Sequence, residues 1–388
     1  MFQKVRVGLI GVGQYGSTLP SVINWNGPEG QLAELVAISE VDEQRLTEAG
    51  QHCGGATMLS QDYRDLLTNP EIEAIFVATP ATVRHPILKA LQAGKHVFYE
   101  KPLELSLDKA DAIIAEARTR KLLCTGNYQW DFLPSLDRIR RMMNDGMIGK
   151  PLEICYEGKR RPACNEIMEI GQHMACVAER FAGPIVSCMA YVLRNGRPIT
   201  ADDIKNVRDY SPKSRHLGVG AGDTIKAIYA TESGIPITAT YLPDEYDVQA
   251  CAIQINGTKG RIQARGGLLE SLFFSPYGAD TINNLRSSGR GWEEVDLGLW
   301  TINNGDEAKV MVDPTMNPAY KLFAMFAQAI RDGGSDPFPL EKARRILEAV
   351  LLPYESARVE GVVKTPLKGL HPLEQWSVDK GKKPTPLY

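Results

Sequence analysis

The chain has 388 residues, of which 43% are hydrophobic, so we expect two domains with substantial cores. A formal net charge of −3 excludes a globally basic surface, and no run approaches the ~18 apolar residues of a transmembrane helix, so we expect no nucleic-acid or membrane partner. Seven scattered cysteines without a CxxC pair favour reduced thiols in a cytoplasm over disulfides. Because the chain also lacks an HExxH motif, we expect no bound metal.

The first third of the chain alternates between short apolar runs and helical patterns. The runs that predict strands are Val5–Ile10, Leu35–Ser39, Ala74–Ala78, Val97–Tyr99 and Leu122–Thr125. The stretches with helical spacing are Tyr63–Leu67, Val83–Ala93 and Leu107–Lys121. This alternation predicts βαβ units, and hence an α/β fold with a doubly wound parallel sheet covered on both faces. Because the first strand begins at residue 5, we expect no signal peptide.

A glycine motif follows the first predicted strand directly. It consists of Gly11, Val12, Gly13, Gln14, Tyr15 and Gly16. Gly11 allows a tight turn, Gly13 lets the backbone approach a pyrophosphate, and Gly16 permits close packing on the strand. The helix that follows offers N–H groups to the phosphates, although Pro20 kinks it or restricts it to a first turn. The motif predicts a dinucleotide site, and a glycine-rich turn without a ligand is the alternative.

An acidic residue, Glu40, ends the second predicted strand 24 residues after Gly16. Its carboxylate can accept hydrogen bonds from both ribose hydroxyls of NAD, and it would repel the 2′-phosphate of NADP. The next residues, Val41 and Asp42, offer no cation for that phosphate, and Arg45 lies a helical turn further on. We therefore predict NAD rather than NADP; a solvated carboxylate at a strand end is the alternative.

Further candidates follow the third and fourth predicted strands. Thr79 and Pro80 come after the third strand, with His85 in the first turn of the next helix, and we expect these residues near the nicotinamide half of the cofactor. Glu100 and Lys101 come after the fourth strand. Since ligands bind outside the carboxyl ends of the strands in an open parallel sheet, a lysine beside a nucleotide indicates nicotinamide redox chemistry. A surface lysine at a strand end is the alternative for Lys101.

These residues together resemble the Gfo/Idh/MocA family of glucose–fructose oxidoreductase, myo-inositol dehydrogenase and rhizopine-catabolism proteins. The matching pieces are Gly11–Gly16, Glu40, Ile75–Pro80 and Ala90–Pro102, which ends in Glu-Lys-Pro. The resemblance implies a Rossmann domain at 1–125 and an α/β domain at 126–388 with a large, open, mostly antiparallel sheet. It also implies a sugar or polyol substrate, and a homodimer or homotetramer assembled through that sheet.

A helical stretch from about Asn165 to Ala182 carries the second group of candidates. On one of its faces, at ~100° per residue, lie Glu169, His173, Cys176 and Arg180. Glu169 and His173 are four residues apart, so either they form an ordinary pair on a solvated face, or the carboxylate orients a histidine toward substrate. The resemblance favours the second reading, because relatives carry Asp-x-Gly-x-His here and this chain has glutamate for the aspartate.

Candidate substrate contacts also lie outside this helix. Tyr128 and Trp130 follow the fifth predicted strand, where the domains join, and each is either a pocket wall or a buried core aromatic. Relatives usually have an arginine where this chain has Trp130. Arg160 belongs to a basic cluster at the end of the predicted strand Leu152–Lys159, where it binds substrate or lies in a solvated loop.

The rest of the chain predicts a sheet and two long helices. Antiparallel strands are predicted at 185–193, 223–231, 235–242, 248–256 and 260–265, and amphipathic helices at Tyr320–Arg331 and Leu340–Val359. The polar stretches 195–222 and 285–292 are candidate pocket caps or subunit contacts. The tail after Thr365 is expected to be extended.

The residues and the resemblance predict an NAD-dependent oxidoreductase that oxidises a secondary hydroxyl of a sugar, sugar derivative or polyol. His173 or Lys101 would take the hydroxyl proton while the other polarises the same oxygen, and Glu169 would orient His173. An NAD-recycling glycosidase or lyase that acts through transient sugar oxidation is the second reading. A non-catalytic NAD-binding sensor is the third.

Overall fold

The structure is a computed structural model that describes residues 3–13, 15–28, 30–52, 58–158, 163–207, 218–243, 251–266, 269–277, 291–297, 317–384 and 387. Its compact units are an N-terminal unit, Met1–Gln129 with Lys309–Leu347, and a C-terminal unit, Trp130–Ala308 with Glu348–Leu387. The helices in the described residues are α1 (Leu19–Ile23), α2 (Glu43–His52), α3 (Tyr63–Thr68), α4 (His85–Gln92), α5 (Leu107–Arg120), α6 (Pro134–Asn144), α7 (Ala163–Ala182), α8 (Pro318–Asp332), α9 (Leu340–Val359) and α10 (Pro372–Asp379).

A parallel sheet forms the core of the N-terminal unit. The strands of this unit are β1 (Val5–Ile10), β2 (Asn26–Gly27), β3 (Gly30–Gln31), β4 (Ala33–Ser39), β5 (Met58–Ser60), β6 (Ala74–Val77), β7 (His96–Tyr99) and β8 (Cys124–Gly126). Within the described residues, six of them pair in the order β5-β4-β1-β6-β7-β8, and every neighbouring pair is parallel. Strand β6 is buried at all four positions, as expected for a strand covered on both faces. The predicted doubly wound sheet is confirmed.

The strands of this sheet end in register at one edge. Ile10 of β1 lies opposite Ser39 of β4 and Val77 of β6. Val77 in turn lies opposite Tyr99 of β7, which lies opposite Gly126 of β8. The residues that directly follow β1, β4, β6, β7 and β8 therefore emerge together at the carboxyl edge of the sheet.

Helix α8 packs on this sheet although it follows the C-terminal strands in sequence. Its Phe323 stacks on Phe76 of β6, with ring centroids 5.8 Å apart, and meets Phe98 of β7 edge-on at 5.2 Å. Residues 317–347 therefore group with the N-terminal unit, whereas the predicted division at residue 125 puts them in the second domain. Helical periodicity predicts the apolar face of α8, but it does not say which sheet that face covers.

A large sheet dominates the C-terminal unit. The strands of this unit are β9 (Pro151–Glu157), β10 (Ile185–Arg194), β11 (Arg197–Pro198), β12 (Lys205–Asn206), β13 (Val219–Gly220), β14 (Thr224–Thr231), β15 (Ile237–Tyr241), β16 (Cys251–Gly257), β17 (Gly260–Gly266), β18 (Ser271–Pro276), β19 (Glu293–Glu294) and β20 (Val363–Lys364). Of these, β12 and β13 pair with each other in a separate two-stranded sheet. In the part of the chain that the structure describes, ten strands pair in the order β11-β10-β14-β15-β9-β16-β17-β18-β19, with β20 beside β10. Of these pairs β9 with β15 is parallel and the others are antiparallel, which confirms the predicted mostly antiparallel sheet.

The two faces of this sheet differ in burial. Along β14, buried and exposed residues alternate, and the buried set includes Ile225, Ala227 and Tyr229. Helix α7 contacts β14 and β15. On β14 and β10, Ile228 is 58% exposed and Tyr191 is 63% exposed. Alternation with a period of two is the pattern of a sheet that is covered on one face.

The C-terminal tail corrects one prediction. Residues 372–379 form α10 rather than extended chain. Pro372 lies in the first turn, where a missing N–H costs nothing, and the backbone N–H of Leu373 donates to Nδ1 of His371 at 3.2 Å. The tail that was expected to be extended therefore contains a helix that begins at a proline.

The stretches predicted as caps are covered only in part. Residues 208–217 and 278–290 lie outside the described residues. The described part of 195–222 contains β11, β12, β13 and a short 3₁₀ turn at Ala201–Asp203. Among the described helices, none is long and apolar enough to cross a membrane.

Candidate functional site

The glycine motif forms a tight loop after β1. Gly11 has φ of +92°, and a Cβ at this position would meet the backbone of Ala78 at 3.1 Å. A Cβ on Gly16 would overlap the carbonyl oxygen of Gly11. A Cβ on Gly13, by contrast, would meet no atom of the described residues within 4 Å. The loop is therefore closed on its inner side and open at Gly13, which fits the close approach of a pyrophosphate to this backbone.

The helix after the loop is short. A 3₁₀ turn spans Gly16–Thr18, and α1 follows with five residues, Pro20 lying in its first turn. This agrees with the prediction that the proline restricts the helix. The N–H groups of the loop, rather than the dipole of a long helix, are thus the groups that can hold a phosphate here.

Glu40 is fixed against the glycine loop. Its Oε2 accepts a hydrogen bond from the backbone N–H of Val12 at 2.9 Å, and its Oε1 accepts one from the N–H of Asp42 at 3.2 Å. A carboxylate has about four acceptor sites, so these two bonds leave capacity for two ribose hydroxyls. Arg45, the residue that could offset a 2′-phosphate, lies 3.8 Å from Asp42 in an ion pair.

A polar cluster lies beneath the loop at the ends of β7 and β8. The Asn127 side chain donates to Glu100 Oε1 at 2.6 Å, and the Tyr15 hydroxyl is hydrogen-bonded to the side chains of Asn127 and Gln129. Burial, with the charge of Glu100 beside it, raises the pKa of Tyr15. Burial also raises the pKa of Glu100. The sequence analysis did not single out Asn127 or Gln129, although their place directly after a parallel strand is the signal that could have found them.

Lys101 and Thr79 emerge at the same edge. Lys101 is half-buried and joined to Pro102 through a cis peptide bond. The Thr79 hydroxyl donates to the carbonyl of Val83 at 2.5 Å, which closes the turn that begins at Pro80. The structure therefore brings the glycine loop, Glu40, Thr79-Pro80 and Glu100-Lys101 to one edge of one sheet, as predicted from strand order.

Of the other predicted cofactor and substrate residues, His85 packs against a neighbouring helix and two lie outside the described residues. His85 begins α4 and packs edge-on against Tyr63 of α3, with ring centroids 5.7 Å apart. Burial lowers the pKa of His85. Gln14 and Arg160 lie outside the described residues.

In the C-terminal unit, α7 carries the predicted histidine. Glu169 and His173 lie one turn apart on α7; Glu169 is half-buried and His173 is 4% exposed. The imidazole of His173 stacks on the indole of Trp130, with ring centroids 4.8 Å apart and planes inclined by 16°. Trp130 is itself 2% exposed. One face of the indole is therefore covered by the histidine.

The last turn of α7 holds the segment that carries Trp130. Arg180 donates to the carbonyl of Asp131 at 2.5 Å and to the carboxylate of Asp137 at 2.6 Å. Since Asp131 directly follows Trp130, these bonds fix the indole relative to α7. Arg180 was predicted on the same helix face as His173, but its partners come from a distant part of the sequence.

Gly171 explains how α7 approaches the sheet. A Cβ at Gly171 would lie 2.6 Å from the hydroxyl of Tyr241, a fully buried residue of β15. That hydroxyl lies 3.4 Å from the hydroxyl of Tyr156 on β9. The glycine in the Glu-x-Gly-x-His pattern thus lets the helix turn before His173 pack directly on a buried tyrosine pair.

Tyr128 belongs to the core of the N-terminal unit. It is fully buried, and its ring stacks on Phe338 with centroids 4.6 Å apart. The Lys342 ammonium lies 5.0 Å from the centroid of Phe338, on the same aromatic pair. Of the two readings that the sequence left open for Tyr128, a core aromatic describes this environment.

A family model matches the N-terminal third of the chain. Residues 5–128 match the model of Gfo/Idh/MocA, described as an oxidoreductase family with an NAD-binding Rossmann fold. The scyllo-inositol 2-dehydrogenase (NAD(+)) of Bacillus subtilis is 29% identical over 162 residues, which are 42% of this chain and 46% of that protein. The 2,7-anhydro-N-acetylneuraminate hydratase of Mediterraneibacter gnavus is 26% identical over 158 residues, 40% of each chain. This chain therefore spans less than half the length of these two relatives.

A solved structure matches over more of the chain. Levoglucosan dehydrogenase in complex with NADH and L-sorbose aligns with 94% of this chain and 100% of its own, with a TM-score of 0.71 and 19% sequence identity. At that identity the likeness is one of fold. It extends the shared architecture beyond the Rossmann segment to the C-terminal sheet.

Proposed function

We propose that the protein binds NAD and oxidises a secondary hydroxyl of a sugar, sugar derivative or polyol, on the premise that its residues 5–128 match the Gfo/Idh/MocA oxidoreductase family. The observation that carries this proposal is the register of the sheet. Because β1, β4 and β7 end together, the glycine loop, Glu40 and Lys101 emerge at one edge. A dinucleotide cradle and a proton-accepting lysine at the same edge suit an enzyme that couples hydride transfer to removal of a hydroxyl proton.

The cofactor is NAD rather than NADP. The open space at Gly13 and the N–H groups of the loop suit a pyrophosphate, and the Glu40 carboxylate suits two ribose hydroxyls. A 2′-phosphate beside Glu40 would meet a fixed negative charge, and Arg45 is already paired with Asp42. When bound, NAD supplies the acceptor for the hydride.

Lys101 and His173 carry the acid–base chemistry. One of them accepts the proton of the substrate hydroxyl, and the other donates a hydrogen bond to the same oxygen. Lysine suits this role because its amine can accept the hydroxyl proton and its ammonium can donate a hydrogen bond to the same oxygen. Glu169, one turn before His173 on α7, orients the imidazole and stabilises its charged form.

We assign neither Trp130 nor Tyr128 to direct contact with the substrate. Trp130 stacks on His173 and Tyr128 is buried against Phe338, so neither offers an open ring face in the way that a sugar-stacking residue would. Lys101, His173 and Glu169 are therefore the residues that we assign to the substrate. The assignment of Arg160 to the substrate stands as a proposal from sequence.

The test is NADH formation by the purified protein with NAD and a panel of inositols, monosaccharides, anhydrosugars and glycosides. We expect absorbance at the NADH band to rise with one class of compound. The same wells are analysed by mass spectrometry for the oxidised product. No NADH and no product with any compound would remove the support for a dehydrogenase of this substrate class.

An NAD-recycling hydratase, lyase or glycosidase is the second candidate. It is favoured by one observation, the 26% identity to a protein named as a 2,7-anhydro-N-acetylneuraminate hydratase. Transient oxidation acidifies a neighbouring C–H bond and permits elimination, after which the hydride returns. Such an enzyme would convert glycosides or anhydrosugars without net NADH. A sensor that binds NAD without turnover, the third candidate, would give neither signal.

The protein further assembles as a homodimer or homotetramer through the open face of the C-terminal sheet. Three apolar side chains support this proposal: Met189 is 47% exposed, Tyr191 63% and Ile228 58%. Met189 and Ile228 are direct neighbours across β10 and β14. A contiguous exposed apolar patch on a soluble domain marks an interaction surface.

A further inference from the structure

Arg84 is a buried arginine that the sequence analysis did not single out. It lies at the start of α4 and is 2% exposed. Its guanidinium donates to three backbone carbonyls, those of Thr79 at 2.6 Å, Lys101 at 3.0 Å and Pro102 at 3.0 Å. These carbonyls belong to two loops, one after β6 and the other after β7. A single side chain therefore joins the turn after β6 to the segment that carries Lys101.

The energetics of this arrangement favour a backbone clamp over a simple ion pair. Burial lowers the pKa of Arg84 to about 10, while the charges of Glu100 and Glu104 oppose that shift, so the side chain stays cationic at neutral pH. A buried charge is tolerated where its donors are satisfied and opposite charges lie near. The guanidinium donates from three separate nitrogens in one plane, whereas a lysine ammonium would have to reach all three carbonyls from a single nitrogen.

We propose that Arg84 is the positioning residue of this site: it holds the backbone of Lys101 and Pro102 fixed relative to Thr79, and so sets where the lysine amine lies. This inference rests on the proposed role of Lys101 in proton transfer. A clamp of this kind acts on turnover through geometry, because a misplaced catalytic group costs rate without a matching loss of cofactor affinity.

The first test compares R84K and R84M with wild type, and uses R64M as the control. Arg64 lies in the same unit with a side chain that is 75% exposed, so R64M removes an arginine without removing a clamp. On a substrate that wild type oxidises, we expect R84K to lower kcat by about 10-fold to 100-fold, while the Kd for NADH changes less than about twofold. R64M should match wild type. Thermal melting shows whether each variant is folded, and turnover rates are compared only between folded proteins. If R84M does not fold, the comparison of R84K with wild type decides the question.

The second test needs no substrate. Lysines are reductively methylated for a short time, and the labelling of Lys101 is measured by peptide mass spectrometry relative to Lys121, which is exposed. Release of the clamp lets the segment open locally, so we expect labelling of Lys101 to rise about threefold or more in R84K. Wild-type labelling together with wild-type kcat in R84K would overturn the proposal. If wild type oxidises no compound of the panel, the proposed function fails, and the labelling ratio still decides whether Arg84 positions Lys101.

Discussion

At the residue scale, the contact between Trp130 and His173 indicates a role for the indole in holding the imidazole. The two rings lie nearly parallel at 4.8 Å, and both side chains are almost fully buried. An aromatic pair of this kind contributes about 0.5–1.5 kcal/mol beyond the area that it buries. Here that energy keeps the imidazole in one plane.

Substitution of Trp130 tests this role. We expect W130L to lower kcat about tenfold, which corresponds to the upper end of the stacking energy, while W130F keeps a flat ring and loses less. The ring current of the indole also shifts the His173 Hε1 resonance, so NMR of histidine-labelled protein reports the stack directly. A W130L variant with wild-type turnover and an unmoved Hε1 resonance would contradict the role.

The sequence predicted His173 as a site residue but did not predict its contact with Trp130. Helical spacing puts His173 four residues after Glu169, a local relation that any α-helix reproduces. The stack with Trp130 joins residues 43 positions apart. It depends on how the 3₁₀ turn at Gln129–Phe132 packs against α7, which periodicity does not encode. The role of Arg84 was not predicted because its three hydrogen-bond partners are backbone carbonyls, which a pattern of side chains in the sequence does not reveal.

At the element scale, the glycine loop offers a matched pair of substitutions. A Cβ at Gly13 enters open space, whereas one at Gly16 overlaps the backbone of Gly11. We expect G13A to keep the wild-type melting temperature and to weaken NADH binding at least about tenfold, because the methyl group occupies the space of the pyrophosphate. We expect G16A to weaken NADH binding and also to lower the melting temperature, because its methyl group overlaps the backbone of Gly11.

Fluorescence titration with NADH and thermal melting measure the two effects separately. G13A with wild-type affinity for NADH would show that the pyrophosphate does not approach the loop at this position. Equal melting temperatures for G16A and wild type would show that the loop can move to accept the methyl group.

Elements with a strong local signal were predictable. The long apolar strands and the helices α5, α7 and α9 lie within a few residues of their predicted bounds. The short edge strand β5, with three residues and no buried run, gave no such signal. Helix α10 was missed because proline breaks a helix interior but fits its first turn.

At the scale of the whole molecule, the open sheet face carries the proposed assembly. Ile228 and Met189 lie side by side on it, and Tyr191 continues the patch along β10. We expect wild type to run as a dimer or tetramer in size-exclusion chromatography with light scattering. I228D puts a charge in the patch without touching the buried face of β14, and it should shift the population toward monomer at unchanged NADH affinity.

Two results would contradict that assignment. One is a wild-type protein that stays monomeric at micromolar concentration. The other is an I228D variant with the wild-type mass, which would put the assembly surface elsewhere. I225D is not a suitable control because Ile225 faces the core. The matched control is V378D, which introduces the same charge at an apolar position that is 44% exposed and lies on α10 rather than on the sheet.

The measurement that tests the central claim most directly is the turnover of K101A beside its affinity for NADH. Acid–base groups contribute about 10²-fold to 10⁴-fold to rate, so we expect K101A to lose at least about 100-fold in kcat on the substrate that the panel identifies. Its Kd for NADH should stay within about twofold of wild type, because the glycine loop and Glu40 hold the cofactor. Wild-type kcat in K101A would contradict the account, since the lysine at the end of β7 would then take no part in the chemistry.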